Sequence, residues 1–583
     1  MYVRKHGKST EKRLKRCFEQ GSTGWGEFFG GEIRYKIMVK GYMEKMKLTL
    51  EGIKNKDAWK GFSLPEFDIA KMCETTKQNP VWIHFGSGNI FRAFLCSAAQ
   101  ELLNTGVMTS GITAAESHGT EIITECFKPH DNLCVAVTLN GDGSTSKEVV
   151  ASVGEALATA YDFNRIVDIF STDSLQMASF TITEKGYALR DASGNIFPMV
   201  DADKKTDPKD IISDMTAGKQ NHHLMSMITA LTLKRKATCG KPLALVSMDN
   251  CSHNGEKIEN AVKEIAGAWL DAGFIAKEDV EYLNTKVSYP WSMIDKITPR
   301  PDKKVEEMLI ADGIDEIRPF VTPNGTYIAA FVNAERPQYL VIEDDFPNGR
   351  PSLEKARGIM FTDRDTVNKA ERMKVCTCLN PLHTALAVYG CMLGYTSISA
   401  EMKDTELVNL ITKMSRNEGM PVVVNPGILD PEKFLNECLT ERFPNPFMPD
   451  TPQRIATDTS QKLPIRYGEN FKAHIEKKDE DSLVYMPLVI AGWLRYLLAV
   501  DDNGEVFEPS SDPLLATAQG MLKGISFGKT DVKEEELKEI LSNEVIFGLD
   551  LYKAGFAGLI CRYFNELNAG KGAVRNTLKK YCD

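Results

Sequence analysis

The sequence predicts an α/β fold: a Rossmann-like doubly wound N-terminal domain followed by a mainly α-helical C-terminal domain. Three observations predict it. Between Val81 and Val246, apolar runs of five or six residues alternate with longer segments of helical periodicity, the pattern of a parallel sheet covered on both faces. A glycine-rich turn follows the first run directly. After about Tyr289 long helical patterns dominate, and a single strand-like patch, YLVIED (339–344), interrupts them.

In chain order, residues 1–46 come first as a basic head with net charge +6 on an otherwise acidic chain at −16. The head has no apolar h-region and contains Glu11, Glu19 and Glu27, so it reads as neither a secretory signal nor a transit peptide. We expect 1–45 to be a poorly ordered extension, 46–285 a dinucleotide-binding domain and 286–583 a helical substrate domain. The strand candidates are VWIHF (81–85), GITAAE (111–116), CVAVTL (134–139), ASFTIT (178–183) and LALVSM (243–248). Helices are expected between them, notably over 91–104 and 210–231. Beyond the strands, helices are expected over 364–395, 400–415, 431–440, 484–500, 533–545 and 548–568. The most apolar stretch, 486–500, contains Arg495 and is too short to span a bilayer.

The first strand runs into Gly86-Ser87-Gly88-Asn89-Ile90. Such a turn lets backbone N–H groups approach a pyrophosphate at a helix N-terminus. Phe91 replaces the third glycine of the usual fingerprint, so the motif alone also fits a plain tight turn. The second strand ends at Glu116, 28 residues after Gly88. A carboxylate there can accept the ribose 2′-OH and favours NAD over NADP; a solvated strand-end Glu is the alternative. Two later strands end in polar clusters, Glu184-Lys185-Gly186-Tyr187 and Asp249-Asn250-Cys251-Ser252-His253-Asn254-Gly255. Asn254-Gly255 reads as a turn, and Asn250 as a neutral amide able to hold a substrate hydroxyl.

The stretch from Lys374 to Gly390 gathers a Lys, an Asn and a His. Asn380 followed by Pro381 suggests an N-cap and first turn, which puts Asn380 and His383 at one end of a helix. Lys374 then suits a general base, with Asn380 and His383 polarising the oxygen as it becomes a carbonyl. From these residues alone a solvated Lys, a capping Asn and a core His remain open. A continuous helix is excluded on two grounds. Pro381 would clash with the carbonyl of Thr377, and Lys374 and His383, nine apart, would point in opposite directions. A break, bulge or helix start is therefore expected between Cys376 and Pro381, with Lys374 turned back towards His383 and Asn250.

Composition excludes several classes. The chain has 43% hydrophobic and 26% charged residues, and a net charge of −10. An acidic body argues against nucleic acid as a partner, and no membrane partner is expected. Thirteen cysteines without a CxxC pair suggest a reduced, cytoplasmic chain. The nine His form no HExxH, and Cys376 and Cys378 make only a CxC, so zinc catalysis is disfavoured and no metal is expected.

Taken together, HFGSGNIFRAF (84–94), TITEKGY (181–187), SMDNCSHNG (247–255), SYPWSMIDKITP (288–299), VIEDDFPNGRP (341–351), the Lys374–His383 stretch and RFPNPFMPDTPQRIATDTSQKLP (442–464) resemble the long-chain polyol dehydrogenase (mannitol dehydrogenase) family. The likeness covers roughly Pro80 to Glu544. It implies metal-independent hydride transfer between NAD or NADP and a secondary alcohol of a small sugar acid or polyol, with NAD the expectation from Glu116; a monomer and a dimer would both fit. It also implies Lys374 as the acid/base, Asn250, Asn380 and His383 around the reacting oxygen, and Arg454 and Lys462 near the substrate. The sequence departs from the family pattern in Ile294-Asp295-Lys296, where Val-Asp-Arg is usual, and in a six-residue rather than five-residue step from Lys374 to Asn380. A sugar acid such as D-mannonate needs a cation beside its carboxylate, for which Arg454, Lys462 and Arg466 are candidates; those cations could equally pair with Asp450 and Asp458. An uncharged polyol such as D-mannitol, or tagaturonate, is the alternative substrate, and a non-catalytic binding protein a remote one.

Overall fold

The computed structural model describes residues 46–191, 193–323 and 325–583; the expectation for the basic extension 1–45 lies outside them. Chain order gives β1 (Trp82–Phe85), β2 (Ile112–Glu116), β3 (Cys134–Leu139), β4 (Thr145–Val150), β5 (Val153–Ala158), β6 (Met177–Phe180) and β7 (Leu243–Ser247). They are followed by β8 (Val287–Ser288), β9 (Ser292–Asp295), a small hairpin of β10 (Phe320–Val321) and β11 (Tyr327–Ile328), then β12 (Phe331–Glu335), β13 (Tyr339–Glu343) and β14 (Ile359–Thr362).

Six of these strands form one sheet in the order β5-β2-β1-β6-β7-β8, every pair parallel. Their apolar runs are continuous because both faces are covered. Trp82, Ala114 and Ala244 pack towards Leu102 and Leu103 of the helix Cys96–Asn104. Ile83, Ala115 and Leu245 pack the opposite way, towards the helices Leu224–Thr238 and Asn254–Asp271. The strand order reverses between β1 and β6, and a ligand crevice opens beyond the carboxyl ends of strands at such a switch point.

Several expectations are corrected. The run 134–139 is a strand, but β3 stands outside the parallel sheet, antiparallel to β4 and parallel to β12. A hairpin through Gly143, at φ +86°, folds it back on β4. The run 178–183 ends at Phe180, because Thr183 takes φ +62° and opens the short helix Thr183–Tyr187. The expected helix 210–231 is two, Pro208–Ala217 and Leu224–Thr238, divided after Gly218 in the left-handed conformation. Asn254-Gly255 is no turn: it begins an 18-residue helix, and buried Asn254 bridges the Asp249 carbonyl and Ser292.

Strands also continue past the division expected at 285/286. β8 is the sixth strand of the parallel sheet, β12 pairs with β3, and β9, β13 and β14 form a third sheet. β13 is the strand-like patch expected at 339–344; the others, two to five residues long, are too short for periodicity to reveal. Helices take over at Arg364. Their core includes the helix Tyr485–Tyr496, which is mostly apolar and buried from Met486 onward. Among the described residues no helix is long and apolar enough to cross a membrane.

Candidate active site

Two cavities meet where the helical part packs over the carboxyl ends of β6 and β7. The larger, about 720 Å³, is lined by Asn250, Lys374, Asn380, Lys462 and Arg466 among others. The smaller, about 230 Å³, is lined by His383, Arg454, Asp450 and Lys296. Asn250, Asp295 and Leu379 line both.

Lys374 reaches this position through a break in its helix. The helix Arg364–Arg372 passes into a π turn, Met373–Cys378, closed by the Leu379 N–H on the Lys374 carbonyl (3.1 Å). Leu379 then leaves helical geometry (φ −125°, ψ −63°) and a new helix runs Asn380–Met392. The break falls where Pro381 demanded it, and the π turn accommodates the additional residue between Lys374 and Asn380. The cap position is Leu379 rather than Asn380. Asn380 is the first helical residue, and its side chain makes no hydrogen bond within the described residues.

Lys374 is 3% exposed, and its amine donates to Asn250 Oδ1 (2.7 Å) and the Ile294 carbonyl (3.0 Å). Burial lowers its pKa, while Asp295 and Glu371 pull it back up. Asp295 is buried, yet Arg442 and Lys374 hold its carboxyl below the usual range. Arg442 in turn joins Asp295 (2.5 and 3.1 Å) to Glu335 (2.7 and 3.0 Å), all three buried. Sequence reasoning missed this triad. Its one visible sign was that Asp295 and Arg442 both lie in the motifs that carry the resemblance.

His383 faces the smaller cavity, and no hydrogen bond joins it to Lys374 or Asn250. Its Nε2 is buried without a partner among the described residues, 3.7 Å from Asp450 Oδ2. Burial first, then Arg466, Arg454, Arg442 and Lys462, push its pKa down to about 3, so the imidazole is neutral. Lys296, the departure from the family's Arg, donates to the Glu335 carbonyl (2.8 Å) and Gln338 Oε1 (3.0 Å), and burial takes its amine down to about 7. The two expected substrate cations are partly committed. Arg454 holds Asp450, and Lys462 donates to the carbonyls of Ile455 and Thr457.

The glycine-rich turn has the shape a dinucleotide needs. Gly86 takes φ +100°, and a Cβ there would come within 2.1 Å of the Thr181 carbonyl. A Cβ on Gly88 would meet nothing within 4 Å, so the backbone is open to close approach. Helix begins at Asn89, leaving the amides of its first turn without intrahelical acceptors. The Asn89 side chain is tied to the Pro299 carbonyl (2.9 Å) and Arg92 (3.2 Å), and Ile90 is half-buried. Ser87 differs from expectation: its N–H is committed to Glu116 Oε2 (2.8 Å) and is not free for a phosphate. The amides of Ser117 (3.1 Å) and His118 (3.0 Å) hold Oε1. Glu116 is thus anchored beside the turn at the end of β2, where a ribose would lie. Burial raises its pKa and the three amides oppose that rise.

The Mannitol dehydrogenase Rossmann domain model matches residues 81–355, and the Mannitol dehydrogenase C-terminal domain model residues 366–567. The matches meet where strands give way to helices. The chain is 48% identical over 543 residues to the D-mannonate oxidoreductase of Thermotoga maritima, covering 92% of this chain and 99% of that one. It is 28% identical over 494 residues to the D-mannonate oxidoreductase of Escherichia coli, covering 83% and 92%. Among solved structures it resembles Pseudomonas fluorescens mannitol 2-dehydrogenase in ternary complex with NAD and D-mannitol, with a TM-score of 0.66 and 24% identity over 92% of this chain and 99% of that one; this likeness is one of fold. The chain belongs to the mannitol dehydrogenase family.

Proposed function

We propose that this chain is an NAD-dependent D-mannonate oxidoreductase, interconverting D-mannonate and D-fructuronate, with the acid–base chemistry assigned to Lys374. The supporting relative is the Thermotoga maritima D-mannonate oxidoreductase. The observation that carries the chemistry is the buried Lys374 amine held on Asn250 and Ile294. Its two acceptors take both N–H bonds of a neutral amine, which leaves the lone pair for a substrate hydroxyl. The oxidation then balances: the O–H proton passes to Lys374, the C–H hydride leaves, and the carbon becomes a ketone. Bound NAD supplies the hydride acceptor, and Gly86, Gly88, Asn89, Ile90 and Glu116 are the residues that would hold it.

As the hydroxyl loses its proton, negative charge develops on the oxygen. The Asn250 Nδ2, the Asn380 amide on the larger cavity and neutral His383 on the smaller one are the donors available to stabilise it. The ammonium formed at Lys374 is stabilised by the field of Asp295, itself held by Arg442. We assign residues 46–363 to the dinucleotide-binding domain and the remainder to the substrate domain. The twelve described cysteines are free thiols, which supports a reducing, cytoplasmic setting.

The test is turnover of D-mannonate, D-altronate and D-mannitol with NAD and with NADP. The highest kcat/KM is expected for D-mannonate with NAD. A clear preference for D-mannitol would overturn the substrate, and one for NADP the role of Glu116.

A further inference from the structure

Of the three cations considered for a substrate carboxylate, one is taken by a carboxylate, one by backbone carbonyls, and Arg466 keeps donors facing the cavity. Arg454 is 61% exposed and holds Asp450, and Lys462 is engaged by two backbone carbonyls. A further arginine in the same cavity, Arg372, pairs with Glu469 (2.9 Å). Arg466, by contrast, has no carboxylate within salt-bridge distance among the described residues. Its Nη1 donates to Thr384 Oγ1 (2.6 Å) and the Asn380 carbonyl (3.5 Å), while among the described residues Nε and Nη2 have no protein acceptor. Burial lowers its pKa only to about 10, so it stays cationic.

The guanidinium is also rigidly placed. Arg466 lies in the π turn Pro464–Gly468. The next residue, Tyr467, donates to the Pro381 carbonyl (2.6 Å), and Asn470 Nδ2 donates to the Cys376 carbonyl (2.5 Å). The segment is therefore fastened both to the turn that carries Lys374 and to the helix that carries Asn380 and His383. A planar fork with free donors, held at a fixed offset from the base, matches a carboxylate better than a hydroxyl. Lys462 lines the same cavity wall and adds positive field there.

We infer that Arg466 binds the carboxylate of the sugar acid, anchoring the end of the chain away from the reacting alcohol and selecting an aldonate over an uncharged polyol. This rests on the D-mannonate reading and names the residue that decides it. Because the contact is made in ground and transition states alike, its loss belongs in KM more than in kcat.

The experiment compares D-mannonate with its uncharged amide, D-mannonamide, in the unaltered protein, R466Q and R466K, with NADH binding as the check of folding. R466Q should lose roughly 10- to 100-fold in kcat/KM on D-mannonate, the value of a charge-assisted hydrogen bond, and little on the amide. R466K keeps the charge without the fork and should fall between. If R466Q does not bind NADH, R466K carries the test, with a larger loss on the acid than on the amide expected. Equal losses on both substrates overturn the assignment of Arg466 alone. Absence of D-mannonate turnover by the unaltered protein overturns the proposed function and this assignment with it.

Discussion

Replacing Lys374 by Ala and by Arg separates proton transfer from charge. In the native site Lys374 is 3% exposed, with two hydrogens of its amine on Asn250 and Ile294. Alanine removes the base and leaves Asn250 Oδ1 without its donor. Loss of a positioned acid–base group costs roughly 10²- to 10⁴-fold in rate, or about 3–5 kcal/mol of barrier. Arginine keeps a positive charge but cannot give up its proton, so it should be nearly as slow as alanine. Both variants should bind NADH as the unaltered protein does, because Lys374 lies apart from the Gly86–Ile90 turn. The pH profile supplies a second readout. A base must be neutral to act, and burial sets this amine below 10.5; oxidation should therefore rise with pH through that lowered value, and the rise should vanish in K374A. The assay is NADH formation from D-mannonate across the pH range, with NADH titration in parallel. An unchanged kcat in K374A, or an arginine variant as fast as the unaltered protein, would remove Lys374 from the chemistry.

Further outcomes follow from the same geometry. Glu116→Gln should narrow the preference for NAD over NADP by roughly tenfold or more, since a neutral side chain no longer repels a 2′-phosphate; an unchanged ratio of kcat/KM values would place the ribose elsewhere. Gly86→Ala should cost ~1–3 kcal/mol or more of stability, because its Cβ would strike the Thr181 carbonyl at φ +100°. Gly88→Ala should leave the melting temperature unchanged yet weaken NADH binding tenfold or more, about 1.4 kcal/mol; unaltered NADH affinity in that variant refutes the phosphate approach. Among the described residues, both carboxylate oxygens of Glu401 are buried without a hydrogen-bond partner, and burial together with Asp404 pushes its pKa up to about 9. The folded state therefore holds a proton that the unfolded state releases above 4.5. This contribution is complete below the unfolded value and is lost as pH rises towards the folded one, at about 1.4 kcal/mol per pH unit. Glu401→Gln should remove that slope, so its stability advantage in denaturant titrations grows with pH; parallel curves for the two proteins would refute a neutral Glu401.

The parts of the site that were legible in the sequence are those set by short-range physics. Five apolar runs marked five strands because a strand covered on both faces leaves no polar alternation, and the turn at Gly86 announced itself by composition. The interruption before Asn380 followed from the proline ring and the angular step of a helix. Lys374 was drawn from its motif context, since nothing local separates a buried base from a solvated lysine.

Sequence by itself thus determined the class of fold, the crevice side of the sheet and the break that frees Lys374, all consequences of neighbours a few residues apart. Only the tertiary structure decided which sheet β3 joins, since periodicity records that a residue is buried but not against what. It alone brought Arg442 onto Asp295 across 147 positions, placing a compensated carboxylate beside the base. It also distinguished Arg466 from Arg454 and Lys462. These three are alike as cations in the sequence, and whether each meets a carboxylate, a carbonyl or open cavity depends on chain segments that come together only on folding.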